Sequence, residues 1–174
     1  MQAQEKFDVI VYGATGFTGT LVAEYLLRQY GVGRELRWAI AGRSADKLNA
    51  VKRGLGGEAA ELETFVADSD DMAALAEIAS RTRVVLTTVG PYALDGSKLV
   101  AACVEAGTHY CDLAGEVQWI RRMIDRHHAR AQETGARIVH CCGFDSIPMD
   151  LGVFFLQQEA RKRHGAFCTR IALY

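Results

Sequence analysis

Seven consecutive residues, Gly13-Ala14-Thr15-Gly16-Phe17-Thr18-Gly19, have the types and spacing to hold a phosphate. Phe7-Asp8-Val9-Ile10-Val11-Tyr12 precedes them, an apolar run of strand composition. Phe17 to Tyr30 follows, apolar at Leu21, Val22, Tyr25 and Leu26, which is helical spacing. The glycines therefore fall on a strand-to-helix turn. Gly13 is expected to permit the tight turn, Gly16 to let the backbone approach a pyrophosphate, and Gly19 to let helix pack closely on strand. The free N–H groups and positive end of the helix would face the anion. The alternative is a tight turn with no ligand.

A second group of residues bears on which dinucleotide would bind. The second strand should end near an adenine ribose, where an acidic residue would select NAD. The chain instead has Gly42-Arg43-Ser44. Arg43 offers a planar fork of donors to a 2′-phosphate and Ser44 adds a hydroxyl, so NADP is expected over NAD. Arg43 lies thirty residues past Gly13, further than the usual ~20, and a loop over 31–35 absorbs the excess. An ordinary solvated arginine is the other reading. Asp68 is placed either to touch adenine or to cap the next helix. The fourth strand ends in Thr87-Thr88-Val89-Gly90-Pro91-Tyr92, where Val89, Gly90 and Pro91 would wall the nicotinamide half of the cofactor.

Residues that could move protons or attack carbon form no decisive pattern. Tyr12, Tyr25, Tyr30, Tyr92 and Tyr110 are followed four residues later by Gly16, Gln29, Arg34, Gly96 and Ala114. The tyrosine–lysine pair of short-chain dehydrogenases is thus absent. Cys141-Cys142 could supply a thiol nucleophile of the semialdehyde-dehydrogenase sort, or simply pack. His109, His127, His128, His140 and His164 show no metal-ligand spacing, and no metal is expected. Asp112 and Glu116, and then Asp145 and Ser146, follow two strands at the edge where ligands bind. They are placed to serve a substrate or to brace loops.

The elements that must position these groups alternate along the chain. Strands are expected over 7–12, 37–41, 62–67, 83–89, 108–113 and 136–141. Helices are expected over 17–30, 45–55, from the Asp68–Asp71 cap to Ala79, and over 97–106, about 116–133 and 148–163. The third is apolar at Met72, Leu75, Ala76 and Ala79, and the fifth at Val117, Ile120, Ile124 and Ala131. Residues 166–174 read as one more strand. This alternation implies an α/β fold, a doubly wound parallel sheet of order 3-2-1-4-5-6, which is the Rossmann arrangement. The dinucleotide domain would occupy 1–165, and 166–174 would lead towards a second domain.

The chain has 174 residues, 49% of them hydrophobic, enough for one domain with a sizeable core. A net charge of −1 gives no reason to invoke nucleic acid. No stretch is long and apolar enough to span a bilayer, and Met1 to Lys6 lacks a signal-like apolar region. The five cysteines are odd in number, and reduced, mostly buried thiols in a cytoplasmic protein fit best.

Several segments together resemble the saccharopine dehydrogenase-like oxidoreductases, and among them the bacterial trans-acting enoyl reductases associated with polyketide-derived lipids. They are 13–19, Ala41-Gly42-Arg43-Ser44, Val89-Gly90-Pro91-Tyr92, Tyr110-Cys111-Asp112-Leu113-Ala114-Gly115-Glu116 and Gly143-Phe144-Asp145-Ser146-Ile147-Pro148-Met149-Asp150-Leu151-Gly152. The resemblance implies a cofactor domain followed by a larger α+β domain that encloses substrate and mediates a homodimer. It places Gly13, Thr15, Gly16, Phe17, Thr18, Gly19, Arg43, Ser44, Gly90 and Pro91 at the cofactor, and names no acid or base in this half. Members are much longer, so the chain is expected to keep NADP binding and to lack turnover. The expected substrate is a small or lipid-like enoyl compound, with an imine or carbonyl second. The competing expectation is a redox sensor or scaffold that binds NADP without catalysis.

Overall fold

The computed structural model describes residues 6–172. Strand β1 (Phe7–Tyr12) leads through the glycine turn into α1 (Phe17–Tyr30). Strand β2 (Trp38–Gly42) and helix α2 (Ala45–Leu55) follow, then a 3-10 turn (Gly57–Glu61) and β3 (Thr64–Val66). Next come α3 (Met72–Arg81), β4 (Thr82–Thr87), the one-turn α4 (Tyr92–Asp95) and α5 (Ser97–Ala106). The chain continues with β5 (His109–Cys111), α6 (Val117–Thr134), β6 (Ile138–Val139) and α7 (Ile147–His164). Helix starts follow local chemistry: Ser44 caps α2, and Asp71 caps α3 by accepting from Ala73 and Ala74 N–H at 3.0 and 3.1 Å.

The six strands form one parallel sheet in the order β3-β2-β1-β4-β5-β6. The chain starts at the sheet's centre, works to one side, then crosses to the other. This is the expected doubly wound order, and β1 and β4 part at its switch point. Alternation along β1 separates two cores. Ile10 and Tyr12 join Leu75, Ile78, Val100, Tyr110 and Trp119 beneath α3, α5 and α6. Val11 joins Ile40, Leu48, Ala23 and Leu26 beneath α1 and α2.

Several strands are shorter than the sequence implies. Strand β3 starts late because Leu62 still closes the 3-10 turn. Strand β4 stops at Thr87, not at residue 89. There the Thr87 hydroxyl accepts from Val89 N–H at 3.2 Å, and that local bond replaces the ladder. Strand β5 covers 109–111 and β6 only 138–139, since Cys141 takes a left-handed φ of 61° and Cys142 N–H bonds Asp112 C=O at 2.7 Å.

No strand forms over 166–172, and residues 173 and 174 lie outside the described residues. The Gln157 amide takes both backbone groups of Cys168, at 2.7 and 3.1 Å, and pins that segment to α7. The buried faces of three helices also differ from the sequence reading. Trp119, Met123 and Ala131 are the buried residues of α6, while Val117 and Ile124 are exposed. In α1, Ala23 and Leu26 are buried and Leu21 and Tyr25 are exposed. In α3, Leu75, Ile78 and Ala79 are buried and Met72 is exposed. The cysteines are free, but only Cys103 is fully buried.

Candidate functional site

A cavity of about 260 Å³ opens at the carboxyl ends of the central strands. Strand β1 and its turn contribute Tyr12, Gly13, Thr15 and Gly16, and β2 contributes Gly42 and Arg43. Ser69 follows β3, Thr88, Val89 and Gly90 follow β4, and Asp95 ends α4. A separate hollow of about 170 Å³ lies between α6 and β6 and shares no lining residue with the first. In open α/β sheets ligands sit at the carboxyl ends beside the switch point, which singles out the first cavity.

The three glycines of the turn meet three different demands. Gly13 has φ +93°, and a Cβ there would lie 2.6 Å from the Val89 side chain and 2.9 Å from Thr88 Oγ1. A Cβ on Gly19 would lie 2.1 Å from Gly13 O, so α1 could not seat against the turn. Gly16 adopts φ −86° and ψ 168°, which any residue can take. A Cβ on Gly16 would meet only Gly13 O, at an ordinary 3.5 Å. The fold requires Gly13 and Gly19. It does not require Gly16, whose bareness faces the cavity.

The turn is held rigid. The Thr20 hydroxyl donates to Ala14 O (3.0 Å) or Gly16 O (2.9 Å), and Thr88 Oγ1 donates to Gly13 O at 3.2 Å. Ala14 is fully buried and packs in the core beneath α1. The first turn of α1 has no acidic residue and no side-chain cap. The N–H groups of Phe17, Thr18 and Gly19 have no acceptor within the helix, and the positive end of its dipole is uncompensated. The Phe17 side chain itself points to solvent, 84% exposed.

Arg43 lines the cavity, is exposed, and makes no hydrogen bond or ion pair among the described residues. Ser44 sits beside it but is outside the cavity lining, where its Oγ accepts from Lys47 N–H at 3.4 Å. Pro91 likewise stands outside the lining, at the N-cap of α4. Asp68 accepts from Asp70 N–H at 3.0 Å, leaving the cap of α3 to Asp71. The Tyr12 hydroxyl donates to Ala67 O at 3.3 Å. Burial pushes it up to about 12, with Asp68 and Asp95 adding and Arg43 opposing, so it is neutral near pH 7. Tyr12, Gly42, Ser69, Thr88 and Asp95 line the cavity in addition to the site residues the sequence points to.

Two of the other candidate acids, Asp112 and Glu116, are engaged. Asp112 is buried and accepts from the Tyr110 hydroxyl (2.9 Å), Ala114 N–H (3.0 Å) and Cys141 N–H (3.1 Å). Its Oδ2 also lies 2.6 Å from His140 Nδ1. Glu116 accepts from Tyr92 N–H at 2.6 Å and Ala93 N–H at 2.8 Å, capping α4 from the far loop. Burial raises the Cys142 thiol, and Asp112 adds to that, which disfavours a thiolate nucleophile. Cys141 Sγ is turned to Ala114 O at 3.0 Å. Asp145 is exposed, and Ser146 starts α7 without a side-chain cap bond. No group of three His, Cys, Asp or Glu among the described residues is placed to hold a metal ion.

Residues 9–139 match the family described as saccharopine dehydrogenase NADP binding domain. The chain belongs to this family. The match begins at Val9 within β1, ends with β6 and takes in every residue that lines the cavity. A trans-acting enoyl reductase of Mycobacterium tuberculosis is 48% identical over 158 residues, covering 91% of this chain and 37% of that protein. One from Mycobacterium ulcerans is 49% identical with the same coverage. The chain thus spans little more than a third of the relatives it matches.

Among solved structures, apo saccharopine dehydrogenase (L-Glu forming) from Saccharomyces cerevisiae superimposes with a TM-score of 0.69. It is 17% identical, and the match covers 89% of this chain and 32% of the other. Triphenylmethane reductase of Citrobacter sp., solved with NADP(H), gives 0.59 at 17% identity, over 89% of this chain and 54% of that one. At these identities the structural likeness speaks for the fold alone.

Proposed function

We propose that this chain is the cofactor-holding part of an NADP-dependent oxidoreductase that reduces an enoyl group on a lipid-like or polyketide-derived substrate. The observation that carries the cofactor reading is Gly16, bare at a point where the fold would accept a side chain. The enoyl substrate rests on the relatives' names, and a homodimer through a second domain rests on the family resemblance.

NADPH, when bound, supplies the hydride. The chain's own residues bind and orient. The Phe17, Thr18 and Gly19 N–H groups and the α1 dipole take the pyrophosphate, with Gly16 admitting it against the backbone. Arg43 takes the 2′-phosphate through its guanidinium fork, and Ser44 supports the start of α2 beside it. Thr88, Val89 and Gly90 form the wall on which the nicotinamide half rests, and Pro91 sets the entry of α4. Removing water from this wall and fixing the ring's position is the protein's contribution to rate in this half.

Calorimetric titration of the chain with NADPH and NADH tests the cofactor reading. Tight NADPH binding with much weaker NADH binding is the expected result. Absence of binding by either overturns it. A second reading, an NADP-binding sensor or scaffold, draws on the engagement of Asp112 and Glu116 in holding loops. NADPH oxidation by the longer protein with an enoyl thioester would exclude that reading.

A further inference from the structure

The hollow between α6 and β6 has no part in the cofactor reading. Met123, Ile124 and Ala131 of α6 and Ile138 of β6 give it apolar walls, and no Asp, Glu, Lys or Arg lines it. His140, one residue past β6, lines it too. The other polar residues of the lining come from α6 and are half-buried or exposed. The His140 side chain is only 8% exposed.

The His140 ring is held by its neighbours. Nδ1 lies 2.6 Å from Asp112 Oδ2. The Trp119 and Tyr110 rings meet it edge-on, with centroids 5.1 and 5.9 Å away. Asp112 also accepts from the Tyr110 hydroxyl and from the Ala114 and Cys141 N–H groups, so it stands there as a carboxylate with lone pairs only. Nδ1 must then carry the ring proton, and Nε2, on the far side of the ring, keeps a bare lone pair. Nε2 has no hydrogen-bond partner among the described residues, yet it is not sealed from the surface. An acceptor left unpaired in so enclosed a place costs free energy, and the hollow that His140 lines is where a partner can enter.

We infer that this hollow is a second binding site, for a compact uncharged molecule with an apolar body and a hydroxyl that donates to His140 Nε2. Its size suits one six-membered ring: it measures about 170 Å³, and an apolar cavity of about 150 Å³ takes benzene. Asp112 sets the selectivity without touching the ligand. By keeping the proton on Nδ1 it makes Nε2 an acceptor, so a hydroxyl is welcomed, while a carbonyl of the same shape sets lone pair against lone pair. The site shares no lining residue with the dinucleotide cavity and stands independently of the cofactor reading.

Cyclohexanol and cyclohexanone, two water-soluble rings of nearly one shape that differ in the donor, test this. Each is titrated into the cofactor-free chain at mildly alkaline pH while the His140 ring nitrogens and the Trp119 indole are followed by nuclear magnetic resonance. Cyclohexanol should bind saturably, shift the His140 Nε2 signal and be preferred by about fivefold or more, the range for leaving a buried acceptor unpaired. His140→Phe keeps a ring but removes the acceptor, and should bring the ratio close to one. Ala131→Leu fills the hollow from α6, leaves the His140–Asp112 pair in place and should abolish binding of both rings; it decides the matter if His140→Phe does not fold. Equal affinity of the parent chain for the two rings overturns the inference. So do the absence of saturable cyclohexanol binding, an unchanged ratio in a folded His140→Phe protein and undiminished binding by Ala131→Leu.

Discussion

Glu116 and Tyr92 are joined across 24 residues of sequence, the carboxylate taking the Tyr92 N–H at 2.6 Å. The second oxygen takes the Ala93 N–H at 2.8 Å. The loop after β5 thereby caps the helix after β4. The Tyr92 hydroxyl returns the tie by accepting from Leu113 N–H at 3.1 Å. Both loops border the carboxyl edge of the sheet, so the cavity wall at Thr88–Gly90 is anchored from the neighbouring strand.

Removing that anchor has a defined cost. Glu116→Ala should lower stability by about 1 kcal/mol, the usual size of a lost cap, and lower Tm by about 2–4 °C. Glu116→Gln keeps one acceptor and should lose less. Thermal melts check the order, and NADPH titration should show weaker binding in the alanine variant. A Glu116→Ala melt that matches the parent would show that α4 is held without it.

The three glycines should separate into two classes. Gly16→Val should leave the circular dichroism spectrum and Tm near those of the parent and abolish cofactor binding. Gly19→Ala forces a Cβ to 2.1 Å from backbone and should instead cost several kcal/mol or prevent folding. Undiminished NADPH binding by Gly16→Val would remove the turn from the phosphate site.

Arg43→Ala should weaken NADPH by about 10–100-fold, the range of a charge-assisted contact, and leave NADH little changed. Paired calorimetric titrations read this directly. Equal losses for both cofactors would take Arg43 away from the 2′-phosphate.

Alkaline pH should destabilise the chain, and two tyrosines contribute to that loss. Burial pushes the Tyr12 and Tyr92 hydroxyls from 10.0 up to about 12. Folded pKa values above the unfolded value mean the folded state holds these protons more tightly. The stability they contribute is whole below pH 10 and is lost as pH rises towards 12. Urea unfolding at stepped pH, with phenolate absorbance followed in parallel, should show the loss. The Tyr12→Phe, Tyr92→Phe double variant should show a flatter profile over the same window.

Much of the fold was legible because its signals are local. Ser44, Asp71 and Gly107 mark helix ends within a few residues, and the alternation of β1 needs only its own side chains. The tight turn at Gly13 and the close packing at Gly19 could be read from the strand and helix that flank them. What was missed depends on partners far away in sequence. The turn at Tyr92–Asp95 becomes a helix because Glu116 caps it. Asp95 enters the site because Ser69, 26 residues earlier, reaches it. The early end of β4 comes from the Thr87 hydroxyl, whose choice of Val89 N–H over the ladder no periodicity reveals. The segment after α7 has strand composition, yet one glutamine side chain satisfies the backbone groups a sheet would have used.

Helix α7 bears on the order in which such a protein is made. It is apolar at Leu151, Phe154, Phe155 and Leu156, and none of its residues is buried. By the time it leaves the ribosome every strand of the sheet has already been synthesised, so the sheet can close without α7. Its phenylalanines are then left bare to solvent. That bare face is a target for chaperone capture or self-association. The released chain should bind a hydrophobic-segment chaperone, and a chain truncated before Ile147 should not.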